Sequence, residues 1–299
     1  MEFIDNLMQT IMGMIYRGLY DYCVYIFDFF KFILNNTLNS QIETATDELT
    51  MHPSQWDYNA FVFIRDVAKN ICIPIAGIIM VFVFTLEIIQ YTRENNHMVA
   101  MKSDKWLMML GKLVVCLILC SKSFEIVMEF LNIGIWAVGN MANITGGTFD
   151  AEQLSLSDFL PPEPGEYSVF LILQLVGSLL IIVVALIIVY IIGVIIYVRV
   201  MLWFLELLIY SSLAPIPFST LGNKEWSQVG MNYTRKMMAM SFEGFIMMLI
   251  FLLYGVIITS VNTSSSFLEV MMKLLGCGIA MILLLGKAGS ISASIFNAH

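Results

Sequence analysis

The sequence predicts an all-α polytopic membrane protein. We expect about five transmembrane helices, an N-terminal interfacial helix and a Pro-broken re-entrant or in-plane element. The chain is 59% hydrophobic and 13% charged, whereas soluble domains carry about 25% charged residues. Its mean hydropathy is +0.83. Uncharged segments such as 168–198 exceed the roughly 20 apolar residues that a helix needs to cross a bilayer, so a soluble globular domain is excluded.

Residues 1–69 are predicted to form an extracytoplasmic or interfacial N-terminal region. Residues 1–36 combine dense aromatic side chains with charges such as Asp21 and Lys31. That mixture favours a helix that lies at the membrane interface or packs on other subunits. The alternative is a frayed first span whose charges face protein. Residues 37–69 are polar and rich in carboxylates.

Residues 70–299 are predicted to form a transmembrane helical domain. Loop 142–168 contains acidic residues and no Lys or Arg, whereas loop 93–105 contains Arg93, Lys102 and Lys105. Because cytoplasmic loops carry excess Lys and Arg, the two loops should lie on opposite sides, so 106–141 should cross once. The N-terminus is then outside and the C-terminus cytoplasmic. The predicted spans are 70–92, 107–141, 168–198, 237–261 and 267–286.

A separate re-entrant or in-plane element is predicted at 200–220. Pro215 and Pro217 should end a helix, because each lacks a backbone N–H and restricts the residue before it. The following loop, 221–236, is basic and should share a side of the membrane with Arg199. The element therefore should not cross, and its broken backbone is stable at depth only if protein buries it.

The sequence contains none of the catalytic or phosphate-binding motifs that would indicate an enzyme. The five cysteines lie in apolar segments, and the three histidines are scattered. We therefore expect no enzymatic activity, no cofactor and no catalytic or metal site. Glu87, Glu206 and Glu243 are placed at span ends, where their carboxylates would reach water.

The candidate channel or assembly residues lie in and after the Pro-broken segment. Arg199 and Glu206 are seven residues apart and share a face if their helix is continuous. They are either interface charges that reach headgroups or a contact between subunits along a channel. Tryptophans near the proposed cytoplasmic boundary, including Trp106, are typical of an aromatic belt. The full candidate set is Arg199, Glu206, Pro215, Pro217, Trp203, Trp226, Arg235 and Lys236.

The run YVRVMLWFLELLIYSSLAPIPFSTLG at 197–222 and its continuation NYTRKMMAMSFEGFIMMLIF at 232–251 resemble a known family. They are similar to the core of TrbL/VirB-type polytopic inner-membrane subunits of conjugative type IV secretion systems. The pattern is a long span, an Arg, an apolar stretch and a Pro-containing break before a small-residue turn. The resemblance covers roughly 168–286 and is most specific at Arg199, Pro215 and 221–236.

The resemblance implies a channel or scaffold subunit that forms a homo-oligomeric ring in the bacterial cytoplasmic membrane. It implies a role in passing single-stranded DNA with attached protein, or effector proteins. The implied partners are a VirB-type ATPase, bitopic scaffold proteins, the lipid bilayer and, transiently, the transferred substrate. A permease or small-solute channel subunit is the alternative. Transporters often carry paired broken helices, and the sequence has one Pro-broken element.

Overall fold

A computed structural model describes residues 2–94, 103–142, 167–260 and 267–298, and this part of the chain is built from helices without strands. Short π-helical segments at Leu34–Asn39 and Ala68–Cys72 interrupt the α-helices, and a 3₁₀ turn covers Ser219–Gly222. The α-helices are α1 Glu2–Ile33, α2 Ser40–Leu49, α3 Pro53–Trp56, α4 Tyr58–Val67, α5 Ile73–Glu94, α6 Ser103–Ser121, α7 Ser123–Ala142, α8 Val169–Leu213, α9 Pro215–Phe218, α10 Ser227–Thr259 and α11 Phe267–Ile295.

The predicted class, an all-α polytopic membrane protein, is confirmed. Within the described residues, four helical stretches are long and apolar enough to cross a membrane: Tyr58–Gln90, Val169–Gly222, Ser227–Thr259 and Glu269–Ile295. A fifth candidate is the pair α6 and α7, bent by 66°. Whether that pair crosses once, and how the chain is oriented, remain predictions. The loops 93–105 and 142–168, on which the orientation depends, lie largely outside the described residues.

Several helix boundaries differ from the predicted spans: the first candidate span begins at Tyr58 and the last ends at Ile295, and two further differences flank the Pro-broken segment. Helix α8 continues through Arg199 to Leu213, so no separate element begins at residue 200. Arg199 does not interrupt the helix, since Arg is among the better helix formers. Helix α8 ends only just before Pro215. Helix α10 begins at Ser227, so the second half of the predicted loop 221–236 is already helical.

The chain divides into two compact units. Unit 1 contains Met1–Thr46, Ile144–Arg199 and Leu249–Gly286. In it, α1 packs on the start of α8 through a buried cluster of Tyr16, Cys23 and Leu175. The Gln9 side-chain amide donates to the backbone carbonyl of Tyr167 (3.2 Å), and its oxygen accepts from the backbone N–H of Tyr167 (2.9 Å). The predicted N-terminal helix therefore docks part of its surface on its own chain.

Unit 2 contains Asp47–Asn143, Val200–Met248 and Lys287–His299. Its core includes Trp203 and Phe204, both buried. The ring of Phe204 stacks on that of Trp56, with centroids 4.6 Å apart and planes 4° from parallel. Unit 2 also holds the Pro-broken segment and most of the candidate residues.

Candidate functional site

The Pro-broken segment is a short, buried turn between α8 and α10. Pro215 begins the four-residue helix α9, which is followed by the 3₁₀ turn Ser219–Gly222, and both Pro215 and Pro217 are buried. Helix α8 ends at Leu213, just before the two prolines, as predicted, but the helical stretch that could cross a membrane continues through both prolines to Gly222. Helix α9 contacts α5, α6 and α7, and the Cys120 thiol donates to the carbonyl of Pro215 at 3.5 Å. The chain's own helices thus bury the break, so this feature alone does not require a neighbouring subunit.

The polar groups of this turn are satisfied locally. The buried hydroxyls of Ser211 and Ser219 each donate to a backbone carbonyl one turn earlier, both at 2.6 Å. Asn223 is buried, and its side-chain oxygen accepts from the backbone N–H groups of Glu225 (2.8 Å) and Trp226 (3.2 Å). Its amide nitrogen donates to the Gln90 side chain at 3.2 Å. Because buried polar groups without partners are costly, these bonds make a broken helix tolerable inside the protein.

Glu87 connects α5 to α6 and to the turn. Its carboxylate accepts from the Lys112 ammonium at 3.3 Å and from the backbone N–H of Lys224 at 3.4 Å. The Glu87 side chain is mostly covered, whereas that of Lys112 is half exposed. Glu87 therefore acts as a structural link in unit 2.

The two charged candidates on α8 have different surroundings. Arg199, in unit 1, is partly buried, and its Nε donates to the carbonyl of Leu285 on α11 at 3.2 Å. Glu206, in unit 2, is exposed. The helix that carries them is continuous, as the shared-face argument requires. A contact between Arg199 and Glu206 of neighbouring subunits remains a prediction.

Trp203 and Trp226 do not play the same role. Trp203 is 1% exposed, and its indole Nε1 donates to the carbonyl of Met240 at 2.9 Å. The aromatic-belt interpretation is therefore wrong for Trp203, because the face of α8 that carries it packs inside unit 2. Trp226 is 41% exposed and meets Phe82 edge-on at 6.3 Å, so its place in a belt stays a prediction. The side chain of Trp106 lies outside the described residues.

Arg235 and Lys236 lie in the first third of α10, where both are partly buried. The Lys236 ammonium lies 5.9 Å from the centroid of the Tyr210 ring, a cation–π distance. The Tyr233 hydroxyl donates to the carbonyl of Tyr210 at 2.7 Å. The basic residues thus flank a contact between α8 and α10.

Glu243 is a buried carboxylate that sequence reasoning misplaced. It was expected at a water-accessible span end, but it lies in the middle of α10 and is 4% exposed. A methyl group on Gly289 would approach its carboxylate oxygen to 2.9 Å, so glycine makes room for it on α11. One turn further along α11, the Ser292 hydroxyl donates to the carbonyl of Ala239 at 2.5 Å. The sequence signal that could have indicated the burial of Glu243 is the apolar run on both sides of it.

The fold and this site define a class: polytopic helical membrane proteins with a Pro-broken hairpin of helices buried by their own chain. Residues 38–215, more than half of the chain, match the family described as TrbL/VirB6 plasmid conjugal transfer like protein. The chain therefore belongs to this family, as the resemblance predicted. The resemblance covered roughly 168–286, whereas the family match begins at residue 38 and ends at Pro215, before α10 and α11. No curated protein and no solved structure matches the chain.

Proposed function

We propose that the chain is a channel or scaffold subunit of a conjugative type IV secretion machine in the bacterial cytoplasmic membrane. It would help single-stranded DNA–protein complexes or effector proteins to cross that membrane, and it would catalyse no reaction itself. The observation that carries the proposal is the family match over 38–215, since the family is one of conjugal transfer. The N-terminus would be outside and the C-terminus cytoplasmic.

The proposed assembly is a homo-oligomeric ring that works with a VirB-type ATPase and bitopic scaffold proteins. The supporting feature is the presence of two charged residues, Arg199 and Glu206, on one long apolar helix. Charges on membrane helices usually face protein or water rather than lipid. Contact between subunits along α8 would supply that environment for the exposed Glu206.

A permease or small-solute channel subunit is the second candidate. One observation favours it beyond the sequence: the bend of 66° between α6 and α7 gives unit 2 a second interrupted helical element beside the Pro-broken one. Broken helices in transporters commonly surround a solute site. The family match favours the secretion role over this alternative.

Gene deletion in a host that carries the parent conjugative element tests the proposal. We expect loss of element transfer, restoration by the full-length chain, and crosslinking of the chain to itself and to the transferred strand during mating. Membrane abundance of the ATPase and the bitopic subunits is measured in parallel. Normal transfer in the deletion strain would exclude the secretion role, and a defect confined to solute uptake would support the permease.

A further inference from the structure

Unit 2 contains a cavity of about 310 Å³ that the secretion role does not use. It lies between the segment formed by α4 and the π-helical turn Ala68–Cys72 on one wall and α7 on the other. We call it the Arg65 cavity. Its charged lining is mixed: Arg65 and Lys69 stand one helical turn apart on the first wall, and Glu125 and Glu129 stand one turn apart on α7. A π-helical turn in a helix often marks a functional position.

The opposite charges of the two walls do not neutralise each other directly. Among the described residues, no ion pair within 4.0 Å joins Arg65 or Lys69 to either glutamate. Glu125 is held instead by Lys122 at 2.8 Å, and Arg65 Nε lies 3.8 Å from its neighbour Asp66. The lining of the cavity therefore carries two cationic and two anionic side chains that are not paired with each other across it.

Arg65 lines this cavity and carries a side-chain donor that has no partner in the described part of the chain. Its Nε is buried and has no hydrogen-bond partner among the described residues, although part of the side chain is exposed. A buried donor without a partner is costly, and a guanidinium, always charged, suits the oxygens of a phosphate. On the facing wall, the Asn132 amide donates to the Glu129 carboxylate at 3.3 Å. That bond orients the carboxylate.

The cavity lining also has an apolar part. It includes the buried side chains of Ala68, Phe124 and Met128. Next to the charged rim, large apolar side chains are exposed on both walls, including Ile71 after Lys69 and Trp136 after Asn132. In a membrane protein such faces are suited to acyl chains.

We propose that the Arg65 cavity binds the headgroup of a zwitterionic phospholipid that carries a primary ammonium, phosphoethanolamine. Arg65 and Lys69 bind the phosphate, and Glu125 and Glu129 accept hydrogen bonds from the ammonium. The four charges of the lining sum to zero, which matches a zwitterion. An anionic headgroup without an ammonium leaves both glutamates facing negative charge. The exposed apolar flanks favour a lipid over a free soluble zwitterion.

The test uses the full-length chain in nanodiscs that contain equal amounts of phosphatidylethanolamine, phosphatidylcholine and phosphatidylglycerol. Native mass spectrometry after release measures which lipid remains bound. We expect phosphatidylethanolamine to be retained above the other two. Glu129→Gln and Arg65→Gln should each lower its retention about tenfold, the effect of losing one hydrogen bond to a charged group. Arg65→Lys, which keeps the charge, should restore part of the retention.

Glu269→Gln and Lys273→Gln are matched controls, because these residues form an exposed ion pair of 2.7 Å on α11. They remove the same charges and should leave retention unchanged. Thermal unfolding of every variant is measured, and only variants that unfold as the wild type does are compared. Equal retention of the three lipids, or equal losses in cavity and control variants, overturns the proposal. Soluble phosphoethanolamine that displaces the lipid at equal concentration identifies a free zwitterion as the ligand and overturns the lipid assignment.

Discussion

The indole Nε1 of Trp203 on α8 donates a hydrogen bond of 2.9 Å to the carbonyl oxygen of Met240 on α10. The same indole fills the space beside Gly244, where an added methyl group would approach the ring to 2.9 Å. The Trp203 side chain thus holds α8 and α10, the helices before and after the Pro-broken turn, in close contact. This contact holds the hairpin together inside unit 2.

Trp203→Ala should destabilise the protein by about 3–5 kcal/mol, as is typical when a buried tryptophan is truncated. Trp203→Phe should cost less, because it keeps most of the apolar contact and loses the hydrogen bond. Thermal unfolding in detergent measures both variants. Trp226→Ala is the control, since Trp226 is partly exposed, and it should change the unfolding temperature little. If Trp203→Ala and Trp226→Ala lowered the unfolding temperature equally, Trp203 would not be the residue that stabilises this contact.

Gly134→Ala should separate α7 from α10. A methyl group at Gly134 would overlap the backbone oxygen of Ser241, which cannot move without shifting α10. Overpacking of this kind costs about 1–3 kcal/mol. Gly111→Ala on α6 is the control, because no described atom lies within 4 Å of the added methyl. That variant should be neutral or slightly stabilising, since Ala is the better helix former. Unfolding temperatures compare the two.

Acidification should weaken unit 2 through His52. Burial lowers the pKa of His52 below its ordinary value of 6.5, and the charge of Glu129 offsets part of that effect. The unfolded chain therefore binds the proton more strongly, so stability present above pH 6.5 is lost as the pH falls towards the folded pKa. His52→Asn keeps an N-cap acceptor for the Ser54 N–H and should reduce this pH dependence. If the unfolding temperature of His52→Asn fell with pH as steeply as that of the wild type between about pH 7.5 and 5.5, this assignment would be wrong.

The charge swap at Arg199 and Glu206 tests the proposed contact between subunits. Arg199→Glu should lower transfer because repulsion replaces attraction, and adding Glu206→Arg should restore part of it. Arg199→Glu also loses the hydrogen bond to Leu285, so membrane abundance is measured beside transfer frequency. Glu206→Gln, on an exposed side chain, should leave abundance normal. Normal transfer of Arg199→Glu at normal abundance would refute a functional role for this segment.

Single cysteines at Asn95 and Ser155 test the orientation predicted from loop charge. In a background without the native cysteines, an impermeant thiol reagent should label them from opposite sides of the membrane. Both positions lie outside the described residues, so the prediction depends on the positive-inside rule alone. Labelling from the same side would exclude the five-span arrangement.

The sequence by itself determined the class, because apolar length and the scarcity of charge are local properties that no tertiary contact can reverse. It also located the helix break, since Pro215 cannot donate a backbone hydrogen bond wherever it lies. The tertiary structure decided which side chains are buried. Trp203 and Glu243 were both expected near an interface, and both lie in the core of unit 2. On a helix that is apolar all round, the sequence does not distinguish the face that meets protein from the face that meets lipid. Only the packing of α8, α10 and α11 makes that choice.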